Sequence, residues 1–231
     1  MKTKLVFWTA FNSYQSPKLL RRKPVGAQHP VTTEAWTTRR VDLFTKYNLP
    51  SILNQAHDDF LYVVLMDPKL RHLTDNLMPT GDCRVMYVHE DEWALDMLKH
   101  YDEIVLALID SDDMYASRAG ACMMACPAKW MYFKHGYAYE ERRGRLWAYD
   151  TIHTGPFFAR RIDPKTMTRF DRDKRNPTHV AVQDYKPTQL AKNQFCVLLH
   201  ERNTSSTPQM RYVKHRPVDK AILTKEFGLP Q

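Results

Sequence analysis

The sequence predicts an α/β protein whose first half is an open, mostly parallel sheet and whose second half is mixed or antiparallel. Three observations predict it. Short, continuously apolar runs recur at Lys4 to Phe11, Phe60 to Met66, Arg84 to Val88 and Glu103 to Ile109, as expected of strands buried on both faces. Helical spacing fills the intervals between them, the alternation of a parallel sheet covered by helices. Beyond Pro127 the pattern turns to aromatic, alternating segments punctuated by Gly136, Gly144 and Gly155, which suits hairpin-like strands.

Taken in order, Lys4 to Phe11 is a first strand of β-forming residues. Residues 12–33 are polar, carry Pro17, Pro24 and Pro30, and read as a loop of a length that often serves function. From Glu34 to Asn48, Trp36, Val41, Phe44 and Tyr47 fall near helical spacing, with Thr32 or Thr33 as cap. Leu49-Pro50 should break that helix, and Ser51 to Gln55 should add a turn. Phe60 to Met66 is a buried strand ending at Asp67-Pro68. Gly81-Asp82 turns into Arg84 to Val88, and Trp93, Met97 and Leu98 mark a helix over Glu92 to Tyr101. Glu103 to Ile109 is the third fully apolar strand, and it runs directly into Asp110-Ser111-Asp112-Asp113. Ser117 to Cys126 reads as an Ala- and Met-rich helix stopped by Pro127. Trp130 to Tyr139, Leu146 to Thr151, Phe157 to Ile162 and Phe195 to Leu199 read as strands.

Composition narrows the function classes. The chain has 231 residues with 43% hydrophobic and 12% aromatic content, enough for a real core and for one domain. No apolar run reaches the ~18 residues of a membrane span, and Leu5 to Ala10 is too short for a signal-peptide core, so a cytoplasmic protein is expected. Cys83, Cys122, Cys126 and Cys196 include no C-x-x-C pair. Cys122 and Cys126 read as core thiols rather than zinc ligands, because no further soft ligands lie near. Asn203-Thr204-Ser205 matches a glycosylation acceptor, which has no meaning without secretion. The formal net charge is +8, and such an excess favours phosphate or polyanion partners. The cations form scattered clusters at Arg21-Arg22-Lys23, Arg39-Arg40, Arg142-Arg143 with Arg145, Arg160-Arg161 and 172–175.

The chemistry concentrates in the acidic cluster. In an open α/β sheet, ligands bind outside the carboxyl ends of the strands. Three carboxylates within four residues repel one another unless a cation compensates them. Mg²⁺ or Mn²⁺ takes oxygen ligands and is typically held by one or two carboxylates together with substrate phosphates. The cluster therefore suits a divalent ion that takes up charge as a diphosphate departs. The haloacid-dehalogenase-like phosphatases also use a strand-end Asp-x-Asp, but near the chain start and with a Thr two residues on, where Met114 stands here.

Phe7 to Asn12, Arg40 to Gln55, Phe60 to Asp67, Ile109 to Asp113 and the late His200-Glu-Arg-Asn-Thr-Ser205 together resemble, in the same order, the rhamnosyltransferase family of the GT-A glycosyltransferases. The resemblance implies a GT-A-like, Rossmann-like fold over a single domain, 1–231. Residues 1–113 would be the half that binds a nucleotide-sugar donor, and 114–231 the acceptor half with a C-terminal tail. It also implies that Asp110 and Asp112 face metal and donor, that Asp113 supports them, and that His200 is a further metal ligand. Two departures stand out. Thr9-Ala10-Phe11-Asn12 occupies the place where the family usually carries an Arg, and Ala107-Leu108-Ile109 stands where it tends to have Thr-Arg-Leu. Rhamnose itself is therefore not implied.

The remaining candidates follow from position. Thr9 and Asp67 end the first and second parallel strands, and Arg40 on the first helix could face the donor. Lys214 and Arg216 lie in a tail suited to phosphate contacts. An inverting transferase needs a carboxylate to deprotonate the acceptor hydroxyl, and Asp150 is the candidate. The expected acceptor is a glycan; the basic balance also admits a hydroxylated base of viral DNA, whose binding would depend steeply on salt. A basic nucleic-acid-binding module without catalysis would leave the acidic cluster unexplained, because carboxylates without a metal repel phosphate.

Overall fold

The apolar runs become the parallel core of one sheet. β1 (Thr3–Ala10), β2 (Phe60–Met66), β3 (Val85–His89) and β4 (Glu103–Leu108) are mutually parallel in the order β3-β2-β1-β4. Burial on both faces explains why β2 has no polar alternation: all of Phe60 to Met66 is buried. The computed structural model describes residues 1–11, 34–76, 78–79, 81–89, 95–150, 157–166, 185–200 and 213–230. The expected loop over residues 12–33 lies outside them.

Beyond β4 the sheet becomes mixed. β9 (Phe158–Ile162) runs antiparallel to β4, β6 (Trp130–Tyr132) antiparallel to β9, and β10 (Thr188–Gln189) parallel to β6, which completes a seven-stranded sheet. A second, five-stranded sheet has the order β12-β8-β7-β11-β5, formed by Val213–Val218, Arg145–Asp150, His135–Glu140, Phe195–Leu199 and Met114–Tyr115 respectively. The fold is mixed α/β with open sheets, mostly parallel at first and mixed later, as the pattern of apolar runs predicts.

The two sheets share one core. Leu5, Phe7, Tyr62, Val64 and Val105 meet Tyr115, Ala138, Phe195 and Val197, together with Phe44 and Ile52 from the helical layer. The other face of the first sheet, with Val6, Trp8, Val63 and Leu106, is covered by Leu98. The outer face of the second sheet packs Tyr137, Cys196 and Leu198 on Leu223 and Phe227 of a C-terminal helix, Ala221–Phe227. No helix among the described residues is long and apolar enough to cross a membrane.

Four details depart from the sequence reading. The first helix does not break at Leu49-Pro50: α1 (Glu34–Leu43) passes through a π-helical turn, Phe44–Asn48, into α2 (Leu49–Leu53). Pro50 sits in the first turn of α2, where its missing N–H costs nothing. Trp130 to Tyr139 is two strands in different sheets, β6 and β7, joined by Phe133-Lys134. The helix expected over Glu92 to Tyr101 is a 3₁₀ segment at Leu95–His100, its start lying outside the described residues. The expected C-terminal tail is instead β12, paired antiparallel with β8, followed by the Ala221–Phe227 helix. α3 (Arg71–Thr74) and α4 (Ala119–Ala125) complete the helices that matter here, and the C-terminal helix is α5.

Candidate functional site at the carboxyl edge of the first sheet

The strand order fixes where a ligand crevice must lie. The chain builds β1, β2 and β3 outward in one direction, then returns to place β4 on the other side of β1. β2 and β9 flank the β1–β4 pair on opposite sides, and in open α/β sheets of such an order ligands bind outside the carboxyl ends of the central pair. That point falls between Ala10-Phe11 and Ile109-Asp110; the Ile109 amide still donates to Trp8 O at 3.1 Å. The acidic cluster lies on this switch point.

The helical layer holds the cluster by its backbone. The π-helical turn carries Asn48, fully buried, whose Nδ2 donates to Asp110 O at 3.0 Å and Asp113 O at 2.8 Å. The Asn48 Oδ1 accepts from the Tyr62 hydroxyl on β2. Two turns on, Gln55 donates to Ala116 O at 2.9 Å and accepts from the Gly120 amide at 2.8 Å. Ser51 Oγ accepts from the Tyr115 amide at 3.3 Å. Single-turn π segments are frequent at functional sites, and here the turn aims an amide at a loop rather than at solvent. Asn48, Ser51 and Gln55 were not singled out from the sequence. The only trace of them there is a set of amide and hydroxyl side chains in an otherwise apolar helical stretch.

The three carboxylates meet three environments. Asp113 turns inward: it is buried, and its Oδ1 accepts the Leu198 amide of β11 at 2.9 Å. Burial, then the charges of Asp112 and Asp110, push its carboxyl well above the usual range. Asp112 is also buried, which alone would raise it, but the Arg40 guanidinium and His200 more than offset that and hold it below its ordinary value. Arg40 Nη1 pairs with Asp112 Oδ2, and His200 Nε2 lies 2.8 Å from the same oxygen. Asp110 presents a surface to solvent while protein crowds its other sides. That desolvation, followed by the charge of Asp112, raises its pKa to about 6, with Arg40 offsetting only part. Among the described residues no cation pairs with Asp110.

The donor set suits a shared divalent ion rather than a closed protein cage. No group of three or more His, Cys, Asp or Glu among the described residues is placed to hold a metal. Asp112 Oδ2 and His200 Nε2, however, are 2.8 Å apart. That is close to the roughly 3 Å between adjacent ligands of one ion at ~2.0–2.2 Å from each. Asp110 lies two residues away in the same loop but is not placed with them as a third ligand. Two protein donors leave positions for phosphate oxygens and water, as is common for Mg²⁺, and Arg40 competes for the shared oxygen.

The other candidates scatter around this edge. Thr9 is fully buried beside the Tyr62 hydroxyl rather than open on the rim. Asp67 follows β2 and is half-buried. Arg40 stacks over Trp36, 5.3 Å from its ring. Lys214 and Arg216 lie in β12, with Lys214 opposite Ala148 and Arg216 exposed. Asp150 is at the far end of β8 from the His200 side of the second sheet and stands opposite His135 on β7. The four thiols are free: Cys196 is buried, Cys122 and Cys126 half-buried and Cys83 exposed.

Fold and site together define a mixed α/β domain with an acidic loop at its switch point. No family model matches the sequence, and no curated protein matches it. Solved structures do overlap with it. A 4-diphosphocytidyl-2C-methyl-D-erythritol synthase from Anaerococcus prevotii DSM 20548 is 9% identical, with a TM-score of 0.37 and 86% of each chain covered. A protein described as a nucleotide-diphospho-sugar transferase from Desulfovibrio desulfuricans G20 is 13% identical, with a TM-score of 0.29, over 85% of this chain and 80% of that one. Similarity this low carries no inference about chemistry, so the functional reading rests on the site itself.

Proposed function

We propose that this chain is a metal-dependent glycosyltransferase that moves a sugar from a nucleoside-diphosphate sugar to a hydroxyl of a glycan acceptor. The observation that carries the reading is the buried Arg40–Asp112–His200 cluster beside Asp110, set at the switch point between β1 and β4. Asp112 and His200 would hold Mn²⁺ or Mg²⁺, with Asp110 alongside, and the ion would neutralise charge on the departing diphosphate. With the ion bound, Arg40 would give up part of its pairing with Asp112 and could offer the diphosphate a planar, bidentate contact. Asp113 acts at a distance: by fastening the loop to β11 it keeps Asp110 and Asp112 on the crevice. Asp67 would border the donor side at the end of β2, whereas Thr9, fully buried beside the Tyr62 hydroxyl, would only support that edge from below. Lys214 and Arg216 extend the positive charge along β12.

The second reading is the same chemistry on a hydroxylated base of DNA. Exposed Arg142, Arg143, Arg145, Arg216 and Lys220 lie towards the His200 end of the second sheet and favour a polyanionic acceptor.

Thermal unfolding with UDP-, GDP- and dTDP-sugars, each with and without Mn²⁺, tests the reading. Donor at a hundredfold excess over its Kd stabilises by about 2.7 kcal/mol, or roughly 5–10 °C for a chain of this size. One nucleotide class should give that shift, and only with the metal. No shift with any donor would sink the proposal.

A further inference from the structure

We propose that Asn48 is a positioning residue of the cation site: it holds the turn that carries Asp112 between Arg40 and His200, and so sets the affinity for a divalent ion. This rests on the cation-binding part of the reading above. Residues 110–113 form a β-turn, closed by the Asp113 amide on Asp110 O at 3.0 Å. Asp112 lies inside that turn, so the direction of its carboxylate follows from how the turn is held. Asn48 holds it at both ends. Its Nδ2 donates to Asp110 O at 3.0 Å and to Asp113 O at 2.8 Å, while its Oδ1 accepts from the Tyr62 hydroxyl. Carbonyls only accept and the hydroxyl can donate, so the network assigns one orientation to the amide.

A second tie runs to the other side of the turn. Asp113 Oδ1 accepts the Leu198 amide at 2.9 Å, just ahead of His200 on the same strand end. Asn48, in turn, belongs to the continuous helical segment that carries Arg40. The turn is therefore fastened by Asn48 to the element that supplies Arg40, and by Asp113 to the element that supplies His200. Both of those side chains meet Asp112 at Oδ2.

The π-helical turn aims the amide. The Leu49 amide reaches back to Phe44 O, a span one residue wider than in an α-helix. Without the extra residue the Asn48 side chain would point about 100° away around the helix axis. Other residue types do not reproduce the contact. Ala or Leu would deprive the buried Asp113 carbonyl of this donor, and Asp would turn carboxylate oxygens towards two carbonyls. A slack turn lets Asp112 follow the Arg40 guanidinium away from the imidazole, and the 2.8 Å separation that suits a shared ion is lost.

A purely structural Asn48 would change stability without changing ion affinity, so affinity is the readout. Binding of Mn²⁺ alone to the full-length protein is followed by the EPR signal of the free ion, at a temperature below every unfolding midpoint. Wild type is compared with Asn48→Ala, Tyr62→Phe and Ile104→Val. Ile104 packs on the opposite face of the first sheet, away from the turn, so its variant reports what a general loss of stability does. The Kd for Mn²⁺ should rise about tenfold or more in Asn48→Ala. It should rise by a smaller factor in Tyr62→Phe, which loses only the hydroxyl that braces the amide, and stay at the wild-type value in Ile104→Val. A wild-type Kd in folded Asn48→Ala, or in Tyr62→Phe where Asn48→Ala does not fold, would overturn the positioning role alone. Equal weakening in Ile104→Val would do the same. No Mn²⁺ binding by wild type would overturn it together with the cation site of the transfer reading.

Discussion

Asp110, Asp112 and Asp113 stand within four residues, and the fold gives each a different partner. Arg40 and His200 satisfy Asp112, the Leu198 amide takes one oxygen of Asp113, and Asp110 is left facing solvent and a like charge. Asp110's pKa of about 6 lies above its ordinary 3.8, so the folded chain holds that proton more firmly than the unfolded chain does. Ionised Asp110 therefore costs stability above pH 6, and the cost fades as pH falls through the window from about 6 to 3.8. Asp110→Asn removes the charge and should raise Tm at neutral pH, with the gain shrinking towards nothing near pH 4. Thermal unfolding of both proteins at the two pH values checks this; a lower Tm for the Asn variant at neutral pH would contradict it.

At the scale of elements, the second sheet depends on a close approach. Gly136 lies on β7 against β11, where an added Cβ would fall 2.5 Å from Phe195 O and 2.8 Å from the Phe195 ring. Phe195 cannot move freely, because its ring stacks on Phe157 at 4.1 Å between centroids. Gly136→Ala should therefore destabilise the protein by about 1–3 kcal/mol through overpacking, read from the midpoint of urea unfolding. An unchanged midpoint would mean that the strands can part without loss. Elements were legible where burial on both faces suppresses alternation: β1, β2, β3 and β4 appear as apolar runs. They were less legible where pattern is ambiguous. Trp130 to Tyr139 alternates throughout, and nothing in its residue types marks Phe133-Lys134 as the crossing from one sheet to the other. The segment of β12, with Lys214, His215, Arg216 and Pro217, reads as a polar tail because it lies at a sheet edge, where Pro is tolerated.

Over the whole molecule, the position of the acidic loop was legible because a strand end can be read from the chain. The crevice was not, since it depends on β4 returning to the far side of β1, a fact of strand order. The scaffolding was hidden for a similar reason. Asn48 reaches Asp110 and Asp113 across more than sixty positions through a π-helical turn that has no sequence pattern of its own. His135 and Asp150 become a pair only once the register of β7 and β8 is set. The central claim is that this edge grips a divalent ion and, through it, a nucleoside diphosphate. Calorimetric titration of the stabilising nucleotide-sugar into wild type and Asp112→Asn, with Mn²⁺ and with chelator, tests it most directly. The account predicts tight binding only for wild type with Mn²⁺, weakened at least about tenfold in Asp112→Asn and no longer sensitive to the metal. Equal affinity in the two proteins, unaffected by chelator, would contradict it.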